Sequence, residues 1–542
     1  MELESVNIPA TNDFASLYIK QKEPVKGFFH YDITENAVFE KRYKDVMNAK
    51  YKRQELASCI ETYMKRFPHS EKTEESISKL RDASSTVVIG GQQAGLLMGP
   101  LFTIHKIISI IKLAEQQENL LGKPVVPVFW IAGEDHDFLE INHLYTESND
   151  GMKKTSFSGM NEEKRMVSDI HYDQNQMLEW VNLIFEQFGE RKHTNEMITL
   201  IHEAVQSYDT FTDFFTYLVT YLFKDYGLLV IDSADKQLRQ LEKPYFSRLI
   251  ENNTEITSAV LSQQDIIENN GFNLAMEVES SSANLFYYIN NERILLEFDR
   301  TRQLFLSKKT DLVFTKEELF DLLEQYPERF SNNVVTRPMM QEWLFPTLAF
   351  IAGPGEIAYW GELKQAFELV NSKMPPIIPR LNISFVESAI ERDVEELNLS
   401  LQNVIENGIS NEREAFIQSV SDQELTGITE KVKDFLVAEY SGIYERVNTI
   451  DASLLPLAEK NLAFHLKQFD FLQNKVDISI RSQHKTIINK YDRIERHLSP
   501  EKSFQERIWN IFYYLNIRGE MFIHHLMDLE FEFDGKHKII KI

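Results

Sequence analysis

The chain has one cysteine, Cys59, in 542 residues. No disulfide can close within it, and no cysteine-based zinc site can form. Cys59 lies at an apolar-periodic position of the helical stretch RQELASCIETYMKRF, so it reads as a core residue. Long apolar runs are also missing. No window approaches the roughly 18 uninterrupted apolar residues that a membrane-spanning helix needs. The opening residues MELESVNIPATNDF hold early acids and no apolar segment, so no secretory signal is visible and a cytoplasmic protein is expected. Positive charge is scarce: 58 Lys+Arg stand against 83 Asp+Glu, a formal net charge of −25. A nucleic-acid binder needs a basic stripe to displace counterions, and an anionic membrane surface attracts the same charge. Neither partner is expected. An anionic substrate must be captured by a local cluster of cations and backbone N–H groups. The motifs GxGxxG, GxxxxGK[ST] and HExxH are absent as well.

What is present is an ordinary globular balance, 43% apolar and 26% charged residues. The length favours two to four domains. Residues 1–80 carry helical periodicity. STVVIG, a β-branched run ending at Gly90, is followed by GQQAGLLMGP. The apolar helix LFTIHKIISIIKLA and a second buried strand, KPVVPVFWIA, come next. This is the sequence form of a βαβ unit, with a parallel sheet expected. YGLLVID and TLAFIAG repeat the strand-then-loop pattern. LFYYIN, RILLEF and QLFLSK read as an antiparallel meander inserted near residues 265–315, and residues 150–225 as a mainly helical insertion. The core therefore spans 1–385. From about 386 to 500 long helical patterns take over. Leu455, Leu462, Phe469 and Val476 recur every seven residues, with Leu472 near the d position, and Leu425, Ile428, Val432, Phe435, Leu436, Ile443 and Val447 form a matching stripe. Two such stripes joined near 448–453 predict an antiparallel helical hairpin or coiled coil, because neither is buried alone. The aromatic-rich tail 501–542 is expected to fold back on the core.

Three constellations can carry chemistry. In GGQQAGLLMGPLFTIHK, glycines 90, 91, 95 and 99 lie between a strand and a helix. A helix N-terminus offers free N–H groups and the positive end of a dipole to phosphate or carboxylate. Thr103, His105 and Lys106 are polar residues early in an otherwise apolar helix. In WIAGEDHDFLEINH, Glu134, Asp135, His136 and Asp137 follow a buried strand. They are open to three readings: a divalent-metal site, a general base, or a solvated loop with Asp137 as N-cap. In NNVVTRPMMQEWLFPTLAFIAGPGEIAYWGELK, Arg337 follows a strand-like VVT, with Pro338 starting a helix. GPGE is a second tight loop, and Tyr359 and Trp360 follow it. Arg380 sits in PRLNIS. The two arginines are candidate clamps for carboxylate or phosphate. If the strands are parallel, these loops converge on one crevice.

The runs GGQQAGLLMGPLFTIHKIISIIKLA, PVFWIAGEDHDFLEINH, RFSNNVVTRPMMQEWLFPTLAFIAGPGEIAYWGELKQAF, PRLNIS and QERIWNIFYYLN resemble the BshC family, the cysteine ligase of bacillithiol biosynthesis. The resemblance covers essentially the whole chain. It implies an α/β fold with a Rossmann-like core, inserted connecting segments and an α-helical antiparallel coiled-coil domain in a homodimer. It also implies addition of L-cysteine to glucosaminyl-malate as the last step of the pathway. The family's core resembles class I aminoacyl-tRNA synthetases, whose HxGH-type motif would fall on TIHK, 103–106. Only Thr103 and His105 fit, and LSKKT at 306–310 is a poor match to their second motif.

Amide formation needs an activated carboxyl group, so ATP with Mg²⁺ is one compatible donor, although the donor is not assigned by the sequence. On this reading Gly91, Gln92, Gln93 and Gly95, with Thr103, His105 and Lys106, contact phosphate or carboxylate. Asp135 or His136 takes the proton of the attacking amine, with Glu134 beside them. Arg337 and Arg380 grip malate carboxylates, and Tyr359 and Trp360 pack on sugar or purine faces. No dedicated metal ligands are assigned. Asn382, Ser384, Tyr491 and Glu506, with Arg493 and Arg507 beside them, are candidates for a second, nucleotide-binding site. The alternatives are a non-catalytic dimeric scaffold or delivery partner, and a transferase using a pre-activated cysteinyl donor.

Overall fold

The computed structural model describes residues 1–148, 151–158 and 164–542. The chain divides into two compact units, Met1–Phe385 with Ser503–Ile542, and Val386–Lys502. In the first, five strands form a wholly parallel sheet: β1 (Thr86–Gln92), β2 (Val125–Ile131), β3 (Leu229–Asp232), β4 (Thr347–Ala352) and β5 (Ile377–Pro379). Their spatial order is β5-β4-β1-β2-β3, with Val88 beside Pro127, Phe129 beside Val230 and Phe350 beside Ile89 and Ile377. Every residue of β2, β3 and β4 is buried, as expected of a parallel sheet covered on both faces. The helix α1 (Phe102–Leu121) crosses from β1 to β2 and is buried continuously from Thr103 to Ile111. That burial explains its apolar residues on every side. Gly122 ends it in the left-handed conformation, φ 60°. β2 lies on one side of β1 and β4 on the other, so the winding reverses between β1 and β4. A crevice opens at such a reversal, at the carboxyl ends of the strands.

The meander takes the form of a five-stranded antiparallel sheet. Ser282–Ile289, Glu292–Asp299, Leu304–Leu306 and Val313–Phe314 are joined by Phe330–Asn332, which pairs with the first of them. That last strand supersedes the expected VVT strand. Arg337 lies inside a helix that begins at Thr336, with Asn333 Oδ1 accepting the Val335 and Thr336 N–H groups ahead of it, and Pro338 is its third residue. The insertion expected over 150–225 holds three helices, Gln174–Phe188, Thr194–Ser207 and Phe211–Phe223. They are preceded by a hairpin of His143–Ser148 and Gly151–Ser156; residues 150 and 159–163 of the insertion lie outside the described residues. The chain ends meet in a third sheet. Glu2–Val6 pairs antiparallel with His537–Lys541, which neighbours Ile383–Val386. Among the described residues no helix is long and apolar enough to cross a membrane.

In the second unit, helices Gln423–Ile450 and Leu455–Gln483 form an antiparallel hairpin. Its register is fixed by Tyr440 on Asn461, Lys433 on Asp470 at 2.6 Å, and Gln473 on Thr426 at 3.0 Å. Leu455, Leu462, Phe469 and Val476 are half-buried along the seam. Gln473, rather than Leu472, takes the position beside them, and Leu472 is exposed. On the first helix Thr429 and Tyr440 are the buried residues, while Ile428, Phe435 and Ile443 face outward. Polar side chains with hydrogen-bond partners across the seam displace these apolar ones, which a search for apolar repeats cannot detect.

Candidate active site

A cleft of about 380 Å³ opens at the reversal point, lined from β1 by Gly91, Gln92 and Gln93, from α1 by Phe102 and Lys106, and from the loop after β2 by Asp135. Arg337, Tyr359, Arg380 and the turn Gly353–Glu356 close the other side, with Arg507 from the C-terminal segment. The size suits a small organic substrate.

Gly91 is required where β1 meets β2, because a Cβ there would stand 2.8 Å from the Trp130 carbonyl oxygen. Lys106 reaches into the cleft and donates to the Gly91 carbonyl at 2.7 Å, Gln92 Oε1 at 3.2 Å and Glu356 Oε2 at 2.6 Å. Burial lowers its pKa and Glu356 pulls the other way. Glu356 also accepts the Gly353 N–H at 2.7 Å, so one carboxylate closes the turn after β4 and anchors the lysine. Arg337 donates to the Tyr359 hydroxyl and, at 2.8 Å, to Gln341 Oε1. Burial raises the Tyr359 phenol, which leaves it a neutral hydroxyl.

The four titratable residues after β2 part ways. Gly133 lies against Ser168 and Asp232, with no room for a Cβ, and the chain turns there. Glu134 points into the protein onto Arg239, which also binds Glu242 at 2.6 Å. Asp135 faces the cleft: Gln93 Nε2 donates to its Oδ2 at 2.8 Å, the His136 N–H to its Oδ1 at 2.8 Å, and Arg293 Nη1 lies 3.6 Å away. His136 packs on Phe286, with Arg293 at 3.2 Å; its pKa is lowered by burial and by that guanidinium. Asp137 occupies an N-cap position without a side-chain capping bond. Divergence of these side chains removes the shared metal site, and among the described residues no three His, Cys, Asp or Glu side chains group to hold a metal ion.

At the helix N-terminus, where an anion site was expected, two of the N–H groups are taken up within the protein. The Leu101 N–H donates to the Trp509 carbonyl and the Thr103 N–H to the Pro100 carbonyl, while Asn510 Nδ2 bonds the Leu97 and Gly99 carbonyls at 2.8 and 2.6 Å. The returning C-terminal segment thus packs against the loop and first residue at this end. Gly90 and Gly91 are strand residues, and of the four glycines only Gly99 has positive φ, 66°.

The structure therefore brings Gly91, Gln92, Gln93, Lys106, Asp135, Arg337, Tyr359 and Arg380 to one cleft. Gly95, Thr103, His105, Glu134, His136 and Trp360 do not line it. His105 is one residue, about 100°, around α1 from Lys106, and its buried Nδ1 meets Glu506 Oε2 at 3.1 Å. Burial lowers its pKa against the pull of Glu506. Trp360 is buried on Phe350 and Phe367, with ring centroids 4.8 and 5.8 Å away, and offers no face to a ligand. Of the second-site candidates, Asn382 Oδ1 accepts from Arg380 at 3.2 Å and Ser384 bonds His537 at 2.8 Å. Glu506 bonds Arg380 and His105. Tyr491 belongs to the helical unit, with its ring 5.7 Å from Phe416. Sequence reasoning missed Glu356 and Arg293, and Arg507, read with the second-site candidates, lines this cleft instead. Glu356 had a signal, as the third helical residue after the GPG turn; Arg293 had none.

A doubly wound parallel sheet with a cleft at its reversal point, followed by a helical hairpin, defines a Rossmann-like protein with a coiled-coil domain. Comparison with known proteins finds the same two parts, with the returning segment from Ser503 counted with the second. Residues 1–381 match the N-terminal Rossmann-like domain of bacillithiol biosynthesis BshC, and residues 383–542 match its C-terminal coiled-coil domain. The chain belongs to the BshC family of bacillithiol biosynthesis. It is 41% identical to "Putative cysteine ligase BshC" of Geobacillus sp. (strain WCH70), and 40% and 41% identical to the proteins of the same name in Geobacillus kaustophilus (strain HTA426) and Bacillus velezensis. Each comparison covers the whole of both chains.

Proposed function

We propose that the protein is a ligase that joins L-cysteine to glucosaminyl-malate through an amide bond, completing bacillithiol, and that it does so in the cleft between β1 and β4. The observation that carries this reading is a group of cations facing the Asp135 carboxylate in a single cleft of a BshC-family chain: Lys106, Arg337, Arg380 and Arg507 surround the space that Asp135 faces. The cations suit malate carboxylates and the charge that develops on a leaving phosphate. The nucleophile is the neutral sugar amine, its ammonium having already lost one proton to solvent, and Asp135 accepts the second proton, which the nitrogen sheds as the amide forms. Nitrogen attacks the carbonyl carbon of an activated cysteine, and the bond from that carbon to the leaving phosphate oxygen breaks. Holding both reactants in one cleft supplies the proximity contribution. A free carboxylate does not react in this way. ATP with Mg²⁺ is the proposed source of activation, its metal carried on the nucleotide's own phosphates. The working form is a cytoplasmic homodimer.

Thermal denaturation with each ligand tests the reading, because a ligand that binds only the folded state raises the melting temperature. Glucosaminyl-malate, L-cysteine and ATP with Mg²⁺ should each raise it. A response to the sugar alone would instead favour the scaffold.

A further inference from the structure

Arg380 leaves β5 and lines the cleft with its guanidinium carbon 5.5 Å over the Phe102 ring. The residue is only 6% exposed. Its Nη2 donates to Glu506 Oε1 at 2.5 Å and to Asn382 Oδ1 at 3.2 Å. Its Nε and Nη1 are buried and have no hydrogen-bond partner among the described residues. Open donors on a buried guanidinium are costly, and an anionic oxygen group satisfies them. The Glu506 carboxylate is in turn used at both oxygens, with Oε2 on His105 Nδ1 at 3.1 Å, so it cannot rotate freely. Gln505, next to it, is fixed by two bonds to the Phe385 backbone, at 2.7 and 2.8 Å. Burial alone would raise the Glu506 pKa; Arg380 and His105 outweigh it and bring it to about 2, so the carboxylate is ionised. Helix α1 therefore serves the cleft twice. Lys106 enters it directly, and His105, on the adjacent face, sets Arg380 through Glu506.

We propose that Glu506, backed by His105, is a positioning residue that holds the Arg380 guanidinium with Nε and Nη1 open for an anionic oxygen group of the substrate. The assignment rests on the cleft being the substrate site. A malate carboxylate and a nucleotide phosphate share this chemistry.

The test uses the full-length protein with Glu506→Gln, Glu506→Asp, Arg380→Ala and the double variant Arg380→Ala/Glu506→Gln. A crystal structure of Glu506→Gln should show Arg380 displaced in an otherwise unchanged cleft. In steady-state assays the KM for the substrate whose group Arg380 holds should rise about tenfold or more, with kcat changing less than about threefold. A rise for glucosaminyl-malate identifies the carboxylate, and a rise for ATP the phosphate. Glu506→Asp should recover part of the loss, and the double variant should be no worse than Arg380→Ala alone. An unmoved Arg380, an unchanged KM, or a fall in kcat at constant KM would overturn the assignment. If the wild-type protein makes no product, the ligase reading fails separately. The crystal structure then decides the positioning role, together with calorimetric titration of wild type and Glu506→Gln by malate and by inorganic phosphate. Equal affinity of the two proteins for both anions would overturn it.

Discussion

Lys106 and Glu356 meet at 2.6 Å although 250 residues separate them in the chain. One comes from the helix after β1, the other from the turn after β4, and the two strands are neighbours on opposite sides of the winding reversal. The pair ties the two halves of the sheet at the floor of the cleft. Lys106→Met should destabilise the protein by about 1.5–3 kcal/mol, because the Glu356 carboxylate and the Gly91 carbonyl lose a charged donor. Lys106→Met/Glu356→Gln should recover part of that loss. Urea denaturation of the three proteins checks both statements.

Asp135 is the one acid after β2 that faces the cleft, with its side chain 28% exposed. Asp135→Asn keeps the shape and removes the base. Turnover should fall by about 10²–10⁴, while stability changes by no more than about 0.5 kcal/mol. Single-turnover rates beside thermal denaturation separate the two effects.

Asp232, at the end of β3, is held by Ser168 Oγ at 2.6 Å and the Ala234 N–H at 2.9 Å. Burial raises its pKa from the ordinary 3.8 to about 7. A carboxyl raised on folding keeps its proton longer in the folded state than in the unfolded one. Its contribution is fully present below about pH 4 and is lost as pH rises through about 7. Asp232→Asn should flatten the dependence of stability on pH in that window, and equilibrium denaturation at pH 4, 5.5, 7 and 8 measures it.

The helical hairpin carries a second apolar stripe. Leu457, Phe464, Phe471 and Ile478 recur every seven residues, and all are 58–64% exposed. A stripe of this kind favours self-association. Phe464→Glu/Phe471→Glu should convert the proposed homodimer to monomer in sedimentation equilibrium, with the core's thermal transition retained.

The parallel sheet was legible in the sequence because buried strands read as continuous apolar runs rich in β-branched residues, as in TVVI and VVPVFWI. The convergence of Gln93, Asp135 and Arg380 followed from that parallelism alone. What stayed hidden depended on side-chain direction. His105 and Lys106 are adjacent in sequence, yet α1 turns one to Glu506 and the other to the cleft. Glu134 and Asp135 likewise diverge, one to Arg239 and one to Gln93. The free helix N-terminus was expected from the glycines, but a segment some 400 residues later takes the Leu101 N–H at Trp509 and the Leu97 and Gly99 carbonyls at Asn510. Contacts of that range leave no local pattern. In the hairpin the seam was legible and its polar members were not, since Thr429, Tyr440 and Gln473 break the apolar repeat.

The central claim is amide formation in this cleft. Purified full-length protein incubated with L-cysteine, glucosaminyl-malate, ATP and Mg²⁺, followed by mass spectrometry, tests it directly. The account predicts the cysteinyl amide together with AMP or ADP, and no product from Asp135→Asn on the same timescale. Binding of the sugar without any amide product would contradict it and leave the chain a scaffold of the pathway.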